Sequence, residues 1–472
     1  MKHTHSRLTL AFACLFSVMV AGCGDNSADK QAQDAKVEID SNPYPSTYKP
    51  ISGEATVITN VTILDGVGKR IDNGMVYFAD GKIAAVGETV EYPEGTQVID
   101  GQGKWVTPGI IDNHSHLGVY PSPSVGSTSD GNEMVKPVTP GVWAEHSVWA
   151  QDSGFGRALA GGVTALQILP GSGNLIGGRS VVLKNVPNRT MQDMKFPDAP
   201  YGMKMACGEN PKRVYGDKGG PMTRMGNVRG YRQAWADAQD YLRQWERYDK
   251  EYADGKNPKA PKRDLDLETL AGVLKGDILV HMHCYRADEM TTMIDLMQEF
   301  DYKIASFHHA VEAYKIADKL KENNICAALW ADWWGFKLEA YDGIRENIPL
   351  VHTAGACAIV HSDDELGIQR LNQEAAKAWS DGKRAGMNIP MEDAWTWLSA
   401  NPAKSLGIFD KTGSLETGKN ADLVLWNGNP FSTYTKAERV YIDGGLAYSL
   451  DDKMSWPVSD FELGQVGEGD AK

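Results

Sequence analysis

Cysteine is scarce, with six residues in a chain of 472. That excludes a small disulfide-built scaffold. No CxxC pair occurs, and Cys207, Cys284, Cys326 and Cys357 are expected as mostly buried thiols. Positive charge is also in deficit, with 48 Lys and Arg against 62 Asp and Glu and a formal net charge of −14. Such a surface excludes a nucleic-acid partner or a binder of anionic lipid, both of which need clustered cations. Long apolar runs are lacking, and the uncharged stretch from Leu8 to Ala21 is too short to span a bilayer. Hydrophobic residues at 42% and charged residues at 23% exclude disorder as the main state. Glycine is plentiful, at 49 residues, as in α/β folds with many tight turns. The length suits one large α/β barrel plus something smaller.

The first residues read as an address. Lys2 and Arg7 precede the apolar run, which ends in Val20-Ala21-Gly22-Cys23. Small residues directly before a Cys resemble a bacterial lipobox. The resemblance implies a signal peptide over residues 1–22, lipidation of Cys23, and a periplasm-facing lipoprotein. Gly24 after the Cys favours the outer membrane. Residues 23–52, polar and Pro-containing, are expected as a flexible tether. Contact with the membrane is expected through the lipid anchor only.

Residues 53–105 read as short strands broken by Asp-Gly, Asn-Gly and Pro-Glu-Gly turns, and the same texture returns over residues 406–450. The two flanks are expected to pair into one β-sandwich domain, followed by a tail at 451–472. Over residues 106–405, apolar strand-like runs alternate with helical patterns, which predicts a (β/α)₈ TIM-like barrel. Seven strand runs are identified: VTPGIIDNHSH, GVTALQILPG, YGMKMACGE, GDILVHMHC, KIASFHHA, ICAALWA and ACAIVHSDD. The eighth strand is unassigned. A helical insertion is expected at about 221–265, with Tyr231, Trp235, Leu242, Trp245 and Tyr248 on one pattern, serving as a lid or as a plain outer helix.

Of the 11 histidines, His3 and His5 leave with the signal peptide. Eight of the other nine lie at or just beyond the ends of strand runs, where barrel residues face an active site. His114 and His116, two apart at a strand end, aim at one point and suit a divalent metal. A lone HxH is weak evidence, but one after an apolar strand and a Pro-Gly turn is stronger.

The segment PGIIDNHSH is similar to the strand-one signature of the metal-dependent amidohydrolase superfamily. HMHCYRADEM, HHAVEAYKIAD and HSDDELGIQRLNQEAAKA resemble strands five, six and eight of the branch related to imidazolonepropionase and certain metal-dependent dipeptidases. NPAKSLGIFDKTGSLETGKNADLVLW resembles that superfamily's return to its β-sandwich. The resemblance implies one or two divalent ions, zinc by ligand type although Mn, Fe or Co also suit such ligands. It implies metal binding by His114, His116, His283, His309 and Asp363, with Asp363 as the general acid/base. A helix cap is the plain alternative for Asp363, a role open also to Ser362 or Asp364. His308 and His309 are adjacent, so strand alternation lets one of them point inward, and the family motif selects His309. Many relatives bridge two metals with a carboxylated Lys, and others use a Glu. Glu209, where the strand-four run ends, is favoured as the bridging ligand. Lys204 lies five residues back, at an odd offset.

Tyr285 and Arg286 are candidates to clamp a substrate carboxylate, a surface ion pair being the plain reading. His361, two before Asp363, is a candidate to face the substrate or to orient Asp363. Trp330, Trp333 and Trp334 suggest an aromatic substrate wall or rim packing. The expected activity is metal-dependent hydrolysis of an amide, peptide-like or cyclic amide bond in a small-molecule or peptide-like substrate. The alternatives are a mononuclear deaminase of an N-heterocycle and an inactive binding protein on the same scaffold.

Overall fold

The computed structural model describes residues 35–122, 124–333 and 335–453. The expected signal peptide, Cys23, Trp334 and most of the expected tail lie outside the described residues. β1 (Thr56–Leu64), β2 (Arg70–Ala79), β3 (Lys82–Gly87), β4 (Gln97–Asp100) and β5 (Trp105–Pro108) open the chain. Asp80 and Gly81 join β2 to β3 in a two-residue turn, both with positive φ, the type I′ geometry for which Asp-Gly is suited.

Eight strands follow and form the second sheet, ordered as in the sequence. They are β6 (Ile110–Ser115), β7 (Val163–Ile168), β8 (Ile176–Lys184), β9 (Tyr201–Ala206), β10 (Ile278–Cys284), β11 (Ile304–His309), β12 (Cys326–Leu329) and β13 (Cys357–Val360). Every residue of β6, β7, β8 and β9 is buried, as strands covered on both faces must be. The first and last strands meet where Asp363 N–H donates to the His114 carbonyl at 3.0 Å. The seven strand runs seen in the sequence are β6, β7 and β9 to β13. The eighth is β8, which runs antiparallel to both neighbours. It leaves β7 through the glycine-rich turn at 170–175 rather than through a helix, so the β–α alternation that reveals the other strands is missing there.

The chain then returns to the first sheet through β14 (Leu423–Trp426), β15 (Ala437–Ile442) and β16 (Gly445–Ser449). β14 pairs antiparallel with β5, so both ends of the chain share one mixed sheet. Ile58, Ile63, Val106, Leu423 and Leu425 form its own buried core.

Two expectations change, and one open alternative is decided. The segment expected as a flexible tether is, from Lys36 to Tyr48, an extended strap docked on the body. Val37 N–H donates to the Tyr248 hydroxyl at 2.8 Å, Lys195 Nζ donates to Asn42 Oδ1 at 3.1 Å and to the Tyr44 carbonyl at 2.6 Å, and Tyr48 donates to Asp443 at 2.8 Å. These partners come from distant parts of the chain, which is why a local reading of composition missed them. The insertion helix Arg224–Ala253 lies along the outside of the barrel rather than over its mouth. Tyr231, Trp235, Ala238, Tyr241, Trp245 and Tyr248 make its buried face, and Trp235 stacks on Tyr302 at 4.5 Å. Finally, the expected thiols are two disulfides, Cys207–Cys284 and Cys326–Cys357. Cys207, the residue after β9, is joined to the last residue of β10, and Cys326 and Cys357 stand opposite one another in register on β12 and β13. Among the described residues no helix is long and apolar enough to cross a membrane.

Candidate metal centre

The C-terminal ends of β6, β10, β11 and β13 bring imidazoles and one carboxylate to a point. His114 and His116 follow one another by two residues at the end of β6 and present the same side. Their Nε2 atoms lie 3.3 Å apart. Asp363 Oδ1 is 3.4 Å from His114 Nε2 and 3.1 Å from His116 Nε2, while its Oδ2 is 3.8 Å from His309 Nε2. The rings of His283 and His309 are 4.6 Å apart. Two trios, His114/His116/Asp363 and His114/His309/His361, each offer ligand atoms within 4.8 Å of one another. His361 therefore sits among the candidate ligands, its ring stacked 5.1 Å from that of His114.

Backbone conformation decides which side chains enter. His309 and Ala310 have φ of 69° and 35°. That left-handed kink ends the alternation of β11, and both His308 and His309 face the interior, where alternation alone would admit one. Asp363 is also left-handed, at φ 49°. Non-glycine residues in this region carry a conformational cost that clusters at functional sites.

Burial, aided by the cation of Lys204, holds His114 well below its ordinary pKa, and burial does the same for His283, His308 and His309. All four are neutral imidazoles, the form that ligates metals. Burial opposes ionisation of Asp363, but the His116 ring beside it and the other neighbouring imidazoles outweigh it and hold the carboxyl well below the usual range. His116 Nδ1 is 2.8 Å from the Leu169 carbonyl and donates to it, which leaves Nε2 free to ligate. His283 Nδ1, His309 Nδ1 and both nitrogens of His361 are buried without a hydrogen-bond partner among the described residues. A divalent cation is the group that such orphaned nitrogens beside a carboxylate fit.

Lys204, rather than Glu209, lies against His114. Lys204 is buried, in register with His281 across β9 and β10, and its Nζ lies 3.3 Å from His114 Nε2. Burial brings its pKa down to about 8. Glu209 lines the cleft beyond the ligands and faces Lys337 at 3.8 Å. The odd-offset argument fails because β9 ends at Ala206 and Glu209 begins a helix, Glu209–Tyr215, so strand alternation does not reach it. Arg286 is half-buried and pairs with Asp288 at 3.2 Å, the plain reading of it. Tyr285 is buried, with its ring stacked 5.2 Å from that of His309.

Sequence reasoning gave no role to Asp112. Its Oδ1 accepts from His114 N–H at 3.1 Å and from Ser362 N–H at 3.3 Å, and its Oδ2 accepts from the Ser362 hydroxyl. It ties the end of β6 to the end of β13, and burial pushes its pKa up to about 7 against those hydrogen bonds. Its place directly before Asn113-His114 was the available signal.

The site opens into a cleft of about 660 Å³ whose lining includes Arg213, Tyr285, Trp330, Trp333, Phe336 and Asp363. Trp330 stacks on His309 at 4.3 Å and on Trp333 at 5.2 Å.

Comparison with known proteins points the same way. Residues 274–447 match the amidohydrolase family. The chain is similar to the amidohydrolase tasK of Hapsidospora irregularis, at 31% identity over 85% of this chain; it spans 42% of that protein's length. It is similar to an imidazolonepropionase of Maricaulis maris (strain MCS10), at 25% identity over 79% of this chain and 92% of that one. Among solved structures it is similar to an amidohydrolase from Thermotoga maritima MSB8, with a TM-score of 0.76, 35% identity, and coverage of 84% of this chain and 100% of that one.

Proposed function

The chain belongs to the amidohydrolase family of enzymes that hydrolyse carbon–nitrogen bonds, and on that premise we propose that it cleaves an amide, peptide-like or cyclic amide bond with one or two divalent ions, zinc foremost. The observation that carries this reading is the convergence of His114, His116 and Asp363, and of His114, His309 and His361, each set within 4.8 Å. His114, His116, His283, His309 and Asp363 would hold the metal. Lys204 takes the bridging place that a carboxylated Lys fills in relatives, instead of Glu209. When bound, such an ion lowers the pKa of water and polarises a carbonyl.

The chain's own residues account for the proton. Asp363, ionised at neutral pH, accepts a proton from water and returns it to the leaving nitrogen. Its two oxygens face different rings, Oδ1 that of His116 and Oδ2 that of His309. Trp330, Trp333 and Phe336 offer a stacking wall, and Arg213 adds positive charge in the same cleft. A substrate with a flat or apolar group beside the scissile bond and an anionic end fits that lining.

The test is the metal content of protein purified without chelator, with a screen of N-acyl amino acids, dipeptides and lactams. About two equivalents with turnover supports the hydrolase. One equivalent with turnover of N-heterocyclic amines instead points to a deaminase, and no metal with no turnover points to an inactive scaffold.

The sheet shared by both chain ends, with its separate core, supports reading it as the β-sandwich of the superfamily. Export as a lipoprotein is supported by the Val20-Ala21-Gly22-Cys23 motif and by the two disulfides, which oxidising compartments permit. Asn42 of the strap meets Tyr201, the first residue of β9, at the barrel end opposite the histidines. Lys36 follows Cys23 by 13 residues, a reach of about 45 Å at most. A lipid-anchored body would therefore be held through the barrel end opposite its mouth.

A further inference from the structure

Behind the candidate ligands a line of imidazoles runs down the inside of the barrel. His114 Nδ1 lies 2.8 Å from His308 Nδ1, and His308 Nε2 lies 3.0 Å from His281 Nδ1. All three side chains have no exposed surface. The other nitrogen of His114, Nε2, is the one that faces His116, Lys204 and Asp363. The protons along this line follow from that orientation. A nitrogen that binds a cation carries no proton, so His114 holds its proton on Nδ1. The acceptor at 2.8 Å is His308 Nδ1, which must then be bare, and the proton of His308 sits on Nε2. That proton goes to His281 Nδ1, so His281 is protonated on Nε2, an atom with no partner among the described residues.

We propose that His308 is a positioning residue that, with His281 behind it, fixes His114 in its Nδ1–H tautomer and orients its ring for the cation. The inference rests on the metal-site reading given above. The contrast with His116 shows what is particular about it. His116 is held by the Leu169 carbonyl, an acceptor in every state. His308 is an acceptor in only one of its two neutral tautomers, and the contact with His281 selects that one. Strand pairing sets His308 opposite His283 and so inside the barrel, and the kink at His309 is what brings the ligand that follows it in beside it.

The experiment uses the full chain, stripped of metal and titrated with Zn²⁺ alone against a chromophoric chelator. Loss of a group that orients a ligating His costs 10–100-fold in metal affinity, so His308→Leu is expected to weaken Zn²⁺ by that factor. His308→Asn, whose Oδ1 replaces Nδ1 as an acceptor, is expected to recover most of the loss. A packing role would not separate the two variants. In ¹⁵N-histidine spectra of the wild-type Zn²⁺ form, His114 is expected as the Nδ1–H tautomer, with His308 and His281 as Nε2–H. A wild-type protein that takes up no Zn²⁺ overturns the metal reading and this inference with it. Normal wild-type uptake with an unimpaired His308→Leu variant, or with His308 protonated on Nδ1, overturns the inference alone. Should His308→Leu fail to fold, the Asn variant and the wild-type spectra decide.

Discussion

Replacing Asp363 by Asn separates proton transfer from the shape of the site. Asn keeps the size of the side chain and can remain near His116 and His114, which lie 3.1 and 3.4 Å from the carboxylate, but it cannot accept a proton at neutral pH. A positioned acid/base contributes about 10²–10⁴-fold to rate, which is about 3–5.5 kcal/mol in the barrier. Asp363→Asn is therefore expected to lower kcat by that factor with a much smaller change in KM and an unchanged melting temperature of the stripped protein. Metal occupancy should fall somewhat, because the same carboxylate borders the candidate ligands. Asp364→Asn is the control. Asp364 Oδ1 accepts from Leu366 N–H at 3.0 Å and from Gly367 N–H, so it caps the turn that follows β13. Its loss is expected to cost about 0.5–1 kcal/mol of stability, as lost caps do, and to leave kcat within a few-fold. The assay is steady-state kinetics on a substrate from the amide screen, with metal content and thermal melts measured on the same preparations. An active Asp363→Asn beside a dead Asp364→Asn would refute the assignment of the general acid/base.

Lys204→Gln is expected to drop metal stoichiometry from about two toward one, and Glu209→Gln to leave it intact; elemental analysis showing the reverse restores Glu209 as the bridge. Burial, and then the charge of Glu339, raise Glu289 to a pKa of about 7 from 4.5, so the folded state holds a proton between those values that the unfolded state does not. Stability from this group is full below about 4.5 and is lost as pH rises through 7, with a ceiling of about 3 kcal/mol that solvent access reduces to about 1 kcal/mol. Glu289→Gln should flatten that slope in denaturant titrations at pH 5 and 8, and an unchanged slope counts against it. Trp235, fully buried against Tyr302, should cost about 3–5 kcal/mol as Trp235→Ala in chemical denaturation; a loss under 1 kcal/mol would mean that the helix Arg224–Ala253 is not anchored there. Cys23→Ala should move the protein out of the membrane fraction, and unchanged fractionation rejects the lipid anchor.

Much of this molecule is local, and what is local was legible. Seven barrel strands show as apolar runs, because a buried parallel strand leaves no polar face to disguise it. The Asp80-Gly81 turn shows because positive φ at two successive positions selects its residues. His114, His116 and Asp363 show because a strand end and a spacing of two suffice to place them on one side. β8 escaped because an antiparallel strand entered through a turn breaks the alternation with helices. His309 joined His308 in the interior against simple alternation because the chain turns left-handed at His309, and nothing in two adjacent histidines announces a positive φ. Lys204 rather than Glu209 meets His114 because β9 stops at Ala206, and where a strand stops is set by what packs beyond it. The disulfides and the docked strap escaped for the same reason: Cys207 meets Cys284, and Asn42 meets Tyr201 and Lys195, only after strands far apart in the chain have paired. The sequence by itself determined which elements form and which chemistry they carry. Tertiary packing alone decided the backbone angles, strand ends and long-range pairings that choose which nitrogens and oxygens meet.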